Sequence, residues 1–228
     1  MKKKILLILI ILILAISAAL LYFFYDDIFS NEDDYKKEYT IEDFPRALEY
    51  VNGEEEIVLA DIKLLNELYQ KIEEGDRVYQ RWIDVGLVKK RLGDLEGTEE
   101  AWQNAVSYNP DQPLAYGNLA GLYGYRLKQY EKAEEYYLKA IDMRPGHYGY
   151  YTDLATIYQH ELTNKKDQIE SLILQGAKEA AGKREKADFY MFLSNYFYEE
   201  GNSAKANEYA QKAVDYNPEL EEYIFQLN

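Results

Sequence analysis

The sequence predicts an all-α protein, a solenoid of repeated helical pairs preceded by a single transmembrane helix. Three observations predict it. An unbroken apolar run, ILLILIILILAISAALLYFF, fills residues 5–24 with Ser17 as its only polar side chain, and about 20 apolar residues suffice to span a bilayer as a helix. From residue 79 onward a face of small, large and small side chains, closed by a helix breaker, recurs at intervals of 35 to 37 residues. Tyrosine supplies 24 and phenylalanine 8 of the 228 residues, enough large bodies to fill the layers between such pairs.

Lys2, Lys3 and Lys4 precede the apolar run, and Asp26 and Asp27 follow it. The positive-inside rule then keeps the amino terminus in the cytoplasm and sends the rest outward. This predicts a single-pass protein of the cytoplasmic membrane, with a basic stub at 1–4, a signal anchor at 5–25 and an extracytoplasmic remainder. The alternative is a secretory signal cleaved near Ser17-Ala18-Ala19, releasing a secreted product. The apolar run extends past that point through Phe24 and exceeds the usual signal core of roughly 7 to 15 residues, which favours the anchor. Residues 26–40, DDIFSNEDDYKKEYT, lack apolar periodicity and read as an acidic stalk.

Residues 41–78 read as a degenerate helical pair. TIEDFPRALEYV starts as a helix, with Thr40 and Asp43 as competing caps and Pro45 in its first turn, and Ile62, Leu65, Leu68 and Ile72 then fall at helical spacing. Beyond them, LKQYEKAEEYYLKAIDMRPG places Ala133, Tyr137 and Ala140 on one face and ends it at Pro145. The same face reads Thr98, Trp102, Ala105 and Pro110 earlier, and Ala206, Ala210, Ala213 and Pro218 later, with a weaker copy at Glu170, Leu174, Ala177 and Gly182. Each unit opens on a first helix with an aromatic, an aliphatic and a small residue, as in Trp82, Val85, Gly86 and Tyr151, Leu154, Ala155. The units run 79–112, 113–147, 148–186 and 187–220, and 221–228 is a tail or the start of a capping helix. Small residues let paired helices approach closely, so Ala133 and Ala140 are expected at contacts and Glu134 on the open face.

This pattern resembles the tetratricopeptide repeat, a helix-turn-helix unit of about 34 residues. It is plainest in LGDLEGTEEAW, KQYEKAEEYY and GNSAKANEYA, whereas HELTNKKDQ lengthens the third turn by about three residues. The resemblance implies a right-handed superhelical solenoid whose first helices line a concave face. Its ligand-contact positions fall here on Asp84 and Leu87, Asn118 and Gly121, Asp153 and Thr156, and Asn195 and Tyr198. Tyr125 joins them as an aromatic outside the packing positions, whereas Tyr123, Tyr137, Tyr151 and Tyr158 are expected in the core. Asp84 and Asp153 occupy one repeat position, so stacking is expected to bring both carboxylates to one groove, where they favour a basic partner. Relatives that clamp a carboxyl terminus use lysine, arginine and asparagine at such positions, whereas Asp84 and Asp153 stand here where basic residues would help. Gly117, Gly121 and Gly124 form a stripe that either packs against a neighbouring helix or floors the groove.

No motif for catalysis, a metal or a cofactor is present. The chain has no cysteine, and HELTN, after His160, lacks the second histidine of a zinc-binding HExxH helix. His147 lies in a turn, and neither a phosphate-binding glycine loop nor a GxSxG elbow occurs. A net charge of −15 excludes nucleic acid bound through its phosphates. The sequence therefore predicts a non-enzymatic, membrane-anchored scaffold that binds a protein or peptide. An accessory or regulatory subunit of a membrane complex is the alternative, and a secreted enzyme a distant third.

Overall fold

The computed structural model describes residues 37–221, and every regular element among them is helical. The transmembrane helix expected at 5–25 lies outside the described residues, as do the basic stub and the tail beyond 221. Among the described residues no helix is long and apolar enough to cross a membrane. The chain forms two compact units, one running to Arg77 and including Arg91–Gly93, the other comprising Val78–Lys90 and the chain from Asp94 onward.

In the first unit the helix expected from Thr40 is broken in two. Thr40 donates its backbone N–H to Asp43 at 2.9 Å and closes a single 3-10 turn, Ile41–Asp43. Phe44 then leaves the helical region at φ −126° and ψ 64°, because Pro45 disfavours that region for its predecessor and has no N–H of its own to donate. One short turn comes next, α1 (Ala47–Tyr50), and then α2 (Glu55–Glu73), which buries Val58, Ile62, Leu65, Leu68 and Tyr69. Ahead of them Tyr39 packs between Phe44 and Tyr69, at ring separations of 5.7 and 5.4 Å. The Asn66 amide pairs with the Tyr39 backbone on both sides, accepting at 2.8 Å and donating at 3.0 Å. Asp61 holds Arg91 by a two-pronged ion pair, with Nε at 2.9 Å and Nη2 at 2.5 Å.

The second unit is a solenoid of helical pairs: α3 (Val78–Arg91, as far as Lys90) with α4 (Leu95–Tyr108), α5 (Pro113–Gly121) with α6 (Tyr130–Met143), α7 (Tyr148–His160) with α8 (Ile169–Glu179), and α9 (Lys183–Glu199) with α10 (Ser203–Tyr216). The small-large-small faces Thr98/Trp102/Ala105, Ala133/Tyr137/Ala140 and Ala206/Ala210/Ala213 are all buried. The weaker copy needs a correction of one residue. Three second helices end where Asn109, Arg144 and Asn217 donate to the carbonyls of Ala105, Ala140 and Ala213, and Ala180 makes the same bond to Gly176. The third face is therefore Ile169, Ile173 and Gly176, not Glu170, Leu174 and Ala177. Glu170 and Leu174 are only half-buried, and Ala181 rather than Gly182 takes the place of the proline.

This register accounts for the spacing. The closing small residues 105, 140, 176 and 213 lie 35, 36 and 37 residues apart, that is one, two and three more than a repeat of about 34. The single extra residue is absorbed by a π-helical turn, Leu122–Arg126, where Leu127 donates to Leu122. Two extra residues enter the 3-10 turn Thr163–Gln168, one fewer than the sequence suggested. Three lengthen the start of α9, which runs 17 residues.

Successive pairs are joined by a recurring group of a carboxylate, a tyrosine and a lysine. Glu99 on α4 accepts from Tyr123 Oη at 2.7 Å and Lys132 Nζ at 3.1 Å, with Lys132 also 3.9 Å from the Tyr123 ring centre. Glu134 on α6 accepts from Tyr158 and from Lys165, and Glu170 on α8 accepts from Tyr209 and Lys205. In the last group Phe197 holds the ring position of Tyr123 and Tyr158 and lacks a hydroxyl, so Tyr209 supplies one from α10. Burial pushes the Tyr123 hydroxyl up to about 12, keeping it a donor. Glu134 is therefore not on the open face: its side chain is 13% exposed because two donors from the next repeat hold it.

Candidate functional site

The candidate site lies on a face built mainly from α5, the π-helical turn, α6 and α7. Tyr137 has a buried ring, yet its hydroxyl emerges on this face and donates to Asp153 Oδ2 at 3.0 Å. Tyr125, from the π-helical turn, brings its hydroxyl near the Asp153 carboxylate and the Tyr137 hydroxyl. Burial raises the Asp153 pKa above the ordinary carboxylate range, against the opposing pull of the two tyrosine donors. Burial likewise raises both tyrosines, so they remain protonated donors.

Two hollows meet at this carboxylate. One, of about 360 Å³, is bordered by Lys90, Trp102, Gly121, Tyr125 and Arg126; the other, of about 460 Å³, by Gln112, Leu114, Arg144, His147 and Tyr150. Gly117, Asn118, Tyr137 and Asp153 line both. His147 stacks on Tyr150 at 4.0 Å, and burial, followed by the nearby Arg144 charge, lowers its pKa. A larger depression, about 800 Å³, lies in the first unit between Lys37–Glu42 and α2, but Asn66 there is already committed to the Tyr39 backbone.

The glycine stripe divides by role. A Cβ on Gly117 would fall 2.4 Å from the Tyr150 ring, and one on Gly124 2.8 Å from Ile157 Cδ1, so both face packed neighbours, Gly117 the more tightly. A Cβ on Gly121 would meet only the Tyr137 hydroxyl, at 3.6 Å. Gly121 therefore leaves bare helix backbone on the groove floor.

Of the residues expected from sequence, the structure brings together Asn118, Gly121, Tyr125 and Asp153. Asp84 does not join Asp153, because it turns to its own helix, with Gln80 Nε2 at 3.1 Å and Arg81 at 3.5 Å. The expected two-carboxylate groove thus reduces to Asp153 alone. Leu87 is 36% exposed on α3 and borders neither hollow. Thr156 donates to the Thr152 carbonyl at 2.8 Å and faces a separate cleft of about 60 Å³. Asn195 and Tyr198 are exposed on α9, away from both hollows. The Tyr137 hydroxyl was not foreseen, since a consensus packing position gives no sign that a core ring can present its polar end to a groove.

Residues 114–147 and 187–220 match the family model for the tetratricopeptide repeat. These two segments are tetratricopeptide repeats. They coincide with the α5–α6 and α9–α10 pairs, and the second helices of the pairs between and before them end on the same cap bond. Among solved structures, BtubC (BKLC) from P. vanneervenii superposes with a TM-score of 0.56 at 17% identity, covering 74% of this chain and 75% of that chain. A crystal structure of MamA protein gives a TM-score of 0.55 at 12% identity, covering 81% of this chain and 97% of that chain. Another crystal structure of MamA gives 0.53 at 14%, covering 70% and 90%. At such identities the likeness establishes the fold alone. No curated protein matches the chain in sequence.

Proposed function

We propose that the chain is a membrane-anchored, extracytoplasmic scaffold whose tetratricopeptide repeats hold an extended segment of a partner protein against the groove at Asn118, Gly121, Tyr125 and Asp153. The observation that carries the binding role is Gly121. It costs helix stability of up to about 1 kcal/mol relative to alanine, no packing contact requires it, and it opens main chain to the groove. The two hollows supply a concave surface with few, placed polar groups around it. The anchor rests on the apolar run at 5–24 and on the lysines before it.

Gly121→Phe fills the groove from a position with no core contact. Capture of partner proteins by the full chain from a detergent extract is expected to be lost in this variant, with an unchanged circular dichroism spectrum. Equal capture by both forms would remove the groove from the function. For topology, protease added to intact spheroplasts is expected to digest the repeats while an amino-terminal tag survives. Full protection of the repeats would overturn the outward placement.

A further inference from the structure

We infer that the junction of the two hollows receives one cationic side chain, the ammonium of lysine or the guanidinium of arginine, with Asp153 as its counter-ion. This rests on the peptide-groove reading above and names the chemistry the partner must bring.

Asp153 is half-buried, and among the described residues no cation reaches ion-pair distance of it. Lys90 and Arg144 border the hollows without pairing to it. The Tyr137 hydroxyl donates to it at 3.0 Å and the Tyr125 hydroxyl lies close by, which leaves lone pairs on a carboxylate that can accept about four hydrogen bonds. A carboxylate taken out of water with neutral donors alone is poorly compensated, and an incoming cation completes it. The surroundings suit such a side chain: Tyr125 and Leu114, both exposed, offer apolar surface to its stem, and bare backbone at Gly121 lets its main chain come close.

The bordering cations sharpen the specificity. A run of consecutive basic residues would be repelled at the rim by Lys90 and Arg144. A single lysine or arginine flanked by acidic residues satisfies both the floor and the rim.

Random heptapeptides displayed on phage and selected against the full chain provide the test, followed by fluorescence polarisation with the winning peptides as synthetic probes. The winners are expected to share one lysine or arginine beside aspartate or glutamate. Replacing that residue in the peptide by norleucine, or Asp153 by Asn, is expected to weaken binding at least about tenfold, while Asp84→Asn leaves it unchanged. The peptide-side change needs no alteration of the protein, so a fold defect in Asp153→Asn cannot mimic the result. Winners that lack a cation yet are blocked by Gly121→Phe would overturn the cation site and leave the peptide groove standing. Cationic winners indifferent to Asp153→Asn would overturn it equally. If no winner is blocked by Gly121→Phe, the groove reading fails and the cation site falls with it.

Discussion

Phe189→Ala is expected to lower the unfolding free energy by about 3–5 kcal/mol, read as a fall in the urea midpoint. Phe189 on α9 is fully buried and meets Tyr151 edge-on at 5.6 Å and Tyr148 at 5.1 Å. Opposite it lies Gly176, where a Cβ would come within 2.4 Å of the Phe189 ring. The ring fills space that its neighbour leaves by having no side chain, so truncation opens a cavity that nothing on α8 can enter. Tyr198→Ala, on the same helix but 53% exposed, is expected to change stability by less than about 0.5 kcal/mol. Comparable losses for the two would contradict the corrected register of the third repeat.

Glu134→Ala is expected to cost about 2–3 kcal/mol, because it strands the Lys165 ammonium and the Tyr158 hydroxyl together. The figure lies below that for a fully buried pair, since Lys165 is 30% exposed and partly screened. Its neighbour Glu135 also pairs with a lysine, Lys139 at 2.6 Å, but its side chain is 59% exposed. Glu135→Gln is expected to cost less than about 0.5 kcal/mol. A double-mutant cycle between Glu134→Ala and Tyr158→Phe measures the coupling across the repeat boundary, expected near 1 kcal/mol. Strict additivity would mean that the group forms no link between repeats.

Much of the solenoid was legible because its signal is periodic and apolar. Ala133, Tyr137 and Ala140, and Trp102 beside Ala105, follow from spacing alone, since burial of a helix face depends on which side chains share it. The third repeat was misread by one position because Ile169, Ile173 and Gly176 offered no proline to align on, and the cap bond from Ala180 to Gly176 that fixes the register is invisible in sequence. The site was legible only in part. Asn118 and Asp153 came from repeat position, but Asp84 was assigned to the same groove although Arg81, three residues before it on the same helix, competes for it. Linear spacing ranks positions around a helix and does not say which neighbour a charged side chain will choose. Glu134 illustrates the same limit, for its two partners come from residues 158 and 165 of the next repeat.

The π-helical turn Leu122–Arg126 changes the phase of the chain without changing the array. Up to Tyr123 the first helix keeps the order of its equivalents, with Tyr123 in the core as Tyr158 is. The one residue gained in the wider turn shifts the next positions by a step: Gly124 turns inward against Ile157, and Tyr125 takes the outward place with 44% of its surface exposed. Lys128, at φ +58°, then returns the backbone to register before Tyr130 begins the next helix. A single inserted residue can thus add a new side chain to a groove while the flanking layers stay as they were. In a repeat protein this separates change at an exposed surface from change in the core, and it points to length irregularities between repeats as places to look for function.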